Sequence, residues 1–448
     1  MSAIFGRRTL HAALLLILVV AFVGSNELSA DPDVWWHLAD ARMLFATHHF
    51  IRVEPNAFTV RGDSWINPEW LAEIPYWCGS SWFGLVGVHL VALAAFYANL
   101  LFIYFRSSWK ARHTGAAFWT VVLCFFPMCL NAGARTILIA YLAMSAELLI
   151  LEAAERGKPR TLWLLAPLFC IWVNLHGTWL IGLGLLALYA VCGMFPFKIG
   201  AFAQEGFSAR DRNRLILVFA ACAAALLVNP YGWRLIWNPL DIMVAQKVMV
   251  AATVEWQPLA MTQPAGQAMA IFICLMIVAN LIKGRKWKLY ELAFILFAFY
   301  CAFAHQRFAL MACVIVGPWL AADLARSFFS ESSEKTNPAI NALFVAFAAG
   351  LFVYLLPKNS ALQRDLAERY PSALISRIQP DWRTFNDHDL GGMLAYDLKP
   401  SFIDSRNDIF EHYGVLQDYL AIQGLQQPFG LLQRYQVDHA LVQANSPL

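Results

Sequence analysis

The chain has 448 residues, 59% of them hydrophobic and only 14% charged, with a mean hydropathy of +0.53, which leaves too little polar surface to cover an ordinary soluble globule. It reads as an integral membrane protein. Its formal net charge of +3 is small, no nucleic-acid partner is expected, and the distribution of charge is more informative than its sum.

Apolar runs long enough to cross a bilayer core, which takes roughly 17–25 helical residues, fall near 10–27, 84–105, 114–131, 136–153, 161–175, 178–197, 214–229, 266–282, 289–304, 307–325 and 339–356, or about eleven spans. Arg7-Arg8 before the first run resembles a signal peptide, but no small-residue cleavage site follows, so an uncleaved first span is expected. The nine cysteines lie almost all in apolar runs without metal-ligand spacing and read as small buried hydrophobes. The basic clusters (Arg7-Arg8; Arg106, Lys110, Arg112; Arg156, Lys158, Arg160; Lys198, Arg210, Arg212, Arg214; Lys283, Arg285, Lys286, Lys288; Arg326, Lys335) all fall on one side of this span pattern. By the positive-inside rule that side is cytoplasmic, so the N-terminus is expected inside and the first long loop, 28–83, and the C-terminus outside.

That first loop opens with Asp31-Pro32-Asp33-Val34-Trp35-Trp36-His37-Leu38. An acidic cap followed by proline predicts a helix from Asp31 to about Ala46, lying along the membrane surface with Val34, Leu38, Ala41 and Phe45 as its apolar stripe and Asp33 and His37 on one face. The plain alternative is that Asp31 caps, Asp33 favours the helix dipole and the tryptophans anchor at the interface. Later in the loop, Glu69 and Glu73 in Asn67-Pro-Glu-Trp-Leu-Ala-Glu73 stand four apart, on one helical face.

Further along, Arg135, Asn174 and His176, Asn229-Pro-Tyr-Gly232, Glu255 and His305-Gln-Arg307 all fall at outer turns. Each alone reads as a turn residue, a helix end or a snorkelling anchor. Ionisable groups at membrane depth are costly, however, and their convergence on one face marks a site. Carboxylates there can take a proton from an acceptor hydroxyl or hold a divalent cation through Asp31 and Asp33, and Arg135, His176, His305 and Arg307 suit an anionic head such as a lipid phosphate. Residues 358–448 change character: Arg383–Asp397, Ser401–Arg406 and Arg434–Gln443 read as short strands among helices, a small extracytoplasmic α/β domain expected to be incomplete as given.

An acidic Asp-x-Asp-type motif in the first outer loop, a surface helix after it, many spans and an outer C-terminal domain resemble the GT-C class of polyprenyl-phosphate-dependent glycosyltransferases. More narrowly, Asp31-Pro-Asp33-x-Trp-Trp-His37-Leu, Asn56-Ala-Phe-Thr59, Trp65-Ile-Asn-Pro-Glu69-Trp-Leu-Ala-Glu73, Asn174-Leu-His176-Gly177, Asn229-Pro-Tyr-Gly232 and Glu255-Trp-Gln-Pro258 look like those of a bacterial membrane-protein family. The resemblance implies an all-α polytopic fold over 1–357 in the bacterial inner membrane, with 358–448 periplasmic. It implies transfer of a hexosyl or pentosyl group from a lipid-linked phosphosugar to a lipid, glycan or protein acceptor, with Asp31 or Asp33 as base or metal partner. His37, Glu69, Glu73, Arg135, Asn174, His176, Glu255, His305 and Arg307 are the expected substrate-binding residues. Two other classes remain open: a transporter or flippase, which predicts mid-span charges and repeated halves, and a non-catalytic envelope assembly protein, which predicts polar turns scattered around the rim.

Overall fold

The computed structural model describes residues 6–22, 31–329, 337–444 and 446. The end of the first expected span, Ala30 and Lys335 lie outside them. The chain begins with α1 (Arg7–Phe22), α2 (Asp33–Thr47), α3 (Trp70–Phe83), α4 (Leu85–Ala111), α5 (Thr114–Met128) and α6 (Thr136–Glu155). It continues with α7 (Leu165–Trp172), α8 (Trp179–Met194), a hairpin of β1 (Phe197–Ile199) and β2 (Phe202–Gln204), α9 (Ala209–Ala225), α10 (Trp233–Val244) and α11 (Lys247–Ala252). Four more long helices follow: α12 (Pro264–Ile282), α13 (Leu289–Ala304), α14 (Ala309–Phe328) and α15 (Pro338–Leu355).

Among the described residues six helical stretches are long and apolar enough to cross a membrane: Leu85–Ala111, Thr114–Asn131, Thr136–Glu155, Pro264–Ile282, Gln306–Phe328 and Pro338–Leu355. The other expected spans fall on shorter helices. The run near 161–175, for instance, is a 3-10 turn over Pro159–Leu164 followed by eight-residue α7, and 178–197 stops at Met194 because Pro196 cannot continue the helix and the chain turns into the β1–β2 hairpin.

The centre of the bundle is α14, in which every residue from Ala309 to Ala321 is buried. Its sequence is apolar all round, as a helix enclosed on all sides requires, and its Ala, Cys and Gly positions let α4, α5, α12 and α13 approach closely. The α3–α4 hairpin shows the same device: a Cβ on Gly87 would lie 1.8 Å from the Gly79 carbonyl oxygen, so only glycine permits this crossing. α15 stays at the rim and packs mainly on α1.

After Pro357 come α16 (Asn359–Arg369), α17 (Ser372–Ile375), β3 (Thr384–Asn386), α18 (His388–Tyr396), α19 (Asn407–His412), α20 (Val415–Gln423), α21 (Pro428–Arg434) and β4 (His439–Leu441). β3 and β4 pair in parallel, with Phe385 opposite Ala440. Ser401–Arg406, expected as strand, is irregular apart from a single bridge between Ser401 and Ala57.

This segment docks on the first loop and completes it. Trp36, Ile51, Ala57, Val60 and Trp65 share one hydrophobic core with Phe385, Phe402, Ile403, Phe410 and Tyr419. α18 lies across α2, where Gly392 is needed because a Cβ would sit 2.6 Å from the Pro32 carbonyl oxygen. Two expectations about α2 therefore change. It starts at Asp33, with the Asp31 carboxylate accepting the Asp33 N–H at 3.1 Å. It is also buried on all sides from Val34 to Ala41, because α3 covers one flank and α18 another, so it does not lie along a membrane surface on one apolar stripe. Trp35 and Trp36 are core residues, and Trp35 packs edge-on against Tyr370 and Tyr396.

Candidate active site

The acids of the first loop meet the polar turns of the bundle in one network. The Asp31 Oδ2 atom lies 2.7 Å from Nε of Arg135, the residue just before α6, and the Nη1 atom of the same guanidinium is paired with Glu255. Arg135 thus ties the first loop to the 3-10 turn Val254–Trp256. Its own carbonyl accepts the Tyr76 hydroxyl at 3.0 Å, which fixes it from behind. That 3-10 turn is in turn pinned to the α13–α14 turn: the His305 ring bonds the Trp256 carbonyl through Nδ1 at 2.5 Å, Gln306 donates to Gln257 and Val254, and Arg307 stacks over the Trp256 ring at 4.4 Å. The Arg307 charge is within electrostatic reach of Glu69, Arg135 and Asp33.

Beside this bridge, Glu69 and Glu73 converge on His37 from the start of α3. His37 Nδ1 lies 2.9 Å from Glu73 and its Nε2 3.6 Å from Glu69. Glu69 also receives the Thr136 hydroxyl and faces His176 Nε2 at 3.3 Å. Since His176 Nδ1 accepts the Thr178 N–H at 3.0 Å, its proton sits on Nε2, and burial, reinforced by the charge of Arg307, pushes its pKa down to about 3. His176 is therefore a neutral donor to Glu69.

Burial dominates the other groups too. It raises Asp33, helped by the neighbouring Asp31 charge, and raises Glu69 against the pull of His37 and Thr136. It lowers His37 and pushes Glu73 up to about 8, so the His37–Glu73 pair is neutral and shares one proton at physiological pH. The folded pKa of Glu73 exceeds its ordinary 4.5, so the folded state keeps a proton that the unfolded chain releases. Its stabilising contribution is full below about pH 4.5 and is lost as pH rises towards 8, at up to about 1.4 kcal/mol per pH unit. Glu73→Gln, a mimic of the protonated acid, is expected to match the parent's melting temperature near pH 5 and exceed it at pH 8 and above; equal melting curves at both pH values would show that the proton is not held there.

Asn174 is committed within the protein. Its Oδ1 accepts the Trp70 indole N–H at 2.9 Å, and its Nδ2 donates to the Cys170 and Val228 carbonyls. His37 and Glu73 are buried beneath Glu69, while Asp31, Asp33, Glu69, Arg135, His176, Glu255 and Arg307 keep partial access to the outside of the chain. Three network members escaped the sequence reading. Asp40 and Asn67 join it through the Asn67 amide, which donates to both Asp40 and Glu73, and Thr136 stands directly after Arg135. The i+7 spacing of Asp33 and Asp40 on one helix was the available signal for the first of these.

The arrangement invites comparison with proteins of known structure. The chain shares the fold of an archaeal oligosaccharyltransferase. The Archaeoglobus fulgidus enzyme in its apo form aligns over 97% of this chain and 69% of its own, with a TM-score of 0.59 at 11% identity. The same enzyme tethered to an acceptor peptide containing the NVT sequon aligns over 98% and 69%, with a TM-score of 0.57 at 11% identity. Its complex with an inhibitory peptide and a dolichol-phosphate aligns over 96% and 69%, with a TM-score of 0.58 at 12% identity. No protein-family model and no curated protein matches the sequence. At such identities the likeness is one of fold alone, a mostly helical oligosaccharyltransferase-like architecture with several helices apolar and long enough to cross a membrane.

Proposed function

We propose that the protein is a membrane glycosyltransferase that moves a sugar from a polyprenyl-phosphate-linked donor to an acceptor on the outer, periplasmic side of the membrane. The observation that carries this reading is the network itself: carboxylates from the first loop and guanidinium groups from two different turns, Arg135 and Arg307, gathered at one end of the helices. The fold neighbours support it, since one was solved with a dolichol-phosphate and another with a tethered acceptor peptide. Of the acceptors left open by the sequence, those peptides favour a polypeptide.

In this mechanism Asp33 is the base. Asp31 is held in an ion pair, whereas among the described residues Asp33 meets only the Trp36 indole N–H at 3.4 Å and the side chain of Ser405, and burial lifts its basicity. The acceptor atom bonds to the anomeric carbon from the face opposite the phosphate and gives its proton to Asp33. The bond from that carbon to the phosphate oxygen breaks, its electron pair leaves on the phosphate, and Arg307 and Arg135 stabilise the growing charge. The configuration at the anomeric carbon inverts.

The convergence of the polar turns speaks against an assembly protein with scattered rim charges. One observation favours transport: Glu147 in α6 is wholly buried at membrane depth, and neither of its carboxyl oxygens has a hydrogen-bond partner among the described residues. Reconstituted protein supplied with polyprenyl-phosphate-linked sugars and candidate peptides separates the two. Loss of lipid-linked sugar with gain of glycosylated acceptor supports transfer, and movement of intact donor across the vesicle without cleavage supports transport. The orientation has its own check: alkaline phosphatase fused after Pro357 is expected to be active, and activity confined to a cytoplasmic reporter would put the site on the wrong face.

A further inference from the structure

The sequence offered Asp31 and Asp33 as holders of a divalent cation, and their surroundings do not fit one. Magnesium and manganese take about six ligands, mostly oxygens, at about 2.0–2.2 Å. Here one Asp31 oxygen accepts the Asp33 backbone N–H, and the other faces Arg135 Nε at 2.7 Å. The next carboxylate, Glu255, is paired with Arg135 Nη1. A cation seated between these two acids would have to expel a guanidinium or stand in contact with it. Among the described residues, no group of three or more His, Cys, Asp or Glu side chains is gathered to hold a metal.

We propose that Arg135 is the resident cation of this site: its guanidinium takes the place between Asp31 and Glu255 that a divalent metal would need, and transfer proceeds without one. The inference rests on the site being the transfer centre. Arginine suits the part because its charge is permanent and its planar fork can meet two carboxylates with separate nitrogens. Nη1 is paired with Glu255 and Nε lies 2.7 Å from Asp31 as an ion pair without hydrogen-bond geometry, and among the described residues Nη2 meets no acceptor, so it can turn to a phosphate oxygen. The side chain is about a quarter exposed, so a ligand can reach it. Arg135 also joins three segments far apart in sequence: the first loop through Asp31, the turn before α6 through its own backbone, and the turn before α12 through Glu255. It acts as a positioning residue for Asp31, and through Asp31 for Asp33, whose N–H that carboxylate holds.

Binding of manganese to the purified full-length protein, read by electron paramagnetic resonance and by thermal unfolding, tests this without any donor. The parent is expected to bind no manganese at this site, and its melting temperature is expected to stay the same in EDTA and in manganese. Arg135→Ala, which removes the guanidinium from between the acids, is expected to gain manganese binding and to melt higher when the ion is added; Arg135→Gln serves if the alanine variant does not fold. A manganese site in the parent that disappears in Asp31→Asn overturns the proposal. So does a variant as indifferent to manganese as the parent, because Asp31 and Glu255 would then not form a place for a cation. Turnover adds a separate arm. Activity that survives EDTA agrees with the proposal, and activity abolished by EDTA and restored by manganese overturns it while leaving the transferase reading intact. Absence of turnover under both conditions counts against the transferase reading alone, since the binding result stands by itself.

Discussion

Asp33→Asn is expected to lower transfer from a lipid-linked donor by about two to four orders of magnitude, the usual contribution of a general base, while the protein still folds. The fold should survive because asparagine keeps the shape of the side chain and its acceptor oxygen, and so can retain the Trp36 indole bond, and because asparagine near a helix start is tolerated about as well as aspartate. Asp31→Asn differs in kind. It removes the charge facing Arg135 and frees a guanidinium that spans two loops, so it should lower both turnover and melting temperature. Measuring both quantities for both variants separates base from anchor. Loss of turnover without loss of stability marks the base, and if that pattern belongs to Asp31 the two roles are exchanged. A double Asp31→Asn, Asp33→Asn protein that consumes donor at the parent rate would remove catalysis from this loop altogether.

The physical basis of what could be read in advance is uneven. Long apolar runs report their own burial, so α4, α6, α12 and α14 are legible from composition, whereas the expected span 178–197 runs past Pro196, where α8 has already stopped. The polar turns were legible because a charge at membrane depth is costly wherever it stands, and Asp31, Glu69, Arg135, His176 and Glu255 do meet in the folded chain. What escaped depends on partners remote in sequence. The surroundings of α2 are set by α18, more than 350 residues on, and its tryptophans read as surface anchors until that helix covers them. For the same reason Asp40 looks like a solvated helix acid until the Asn67 amide reaches it. Fewer C-terminal strands form than expected because Ser401–Arg406 packs on the first loop, with Phe402 and Ile403 both buried, and pairs only through the single Ser401–Ala57 bridge.

That same contact sets up the largest expected effect on stability. Arg406 is buried between the first loop and the C-terminal segment, 2.7 Å from Glu54 of that loop and 2.6 Å from Asp404 beside it, with its guanidinium over the Trp65 ring at 4.7 Å. Glu54 spends its other oxygen on the N–H groups of Asn56 and Ala57, so it cannot swing out to water without undoing that turn. Arg406→Met keeps much of the volume but leaves two buried carboxylates with no counter-charge, and should cost about 3–5 kcal/mol. The expected signs are a lowered melting temperature and rapid proteolysis between residues 358 and 444, where the parent resists. Arg406→Lys should recover only part of the loss, because an ammonium group cannot face both carboxylates and stack on Trp65 at once. Combining Arg406→Met with Glu54→Gln and Asp404→Asn removes the stranded charges and should restore most of the stability. If the single Arg406→Met variant melts like the parent, the ion triad does not hold the C-terminal segment on the first loop, and the shared apolar core around Phe402 does so alone.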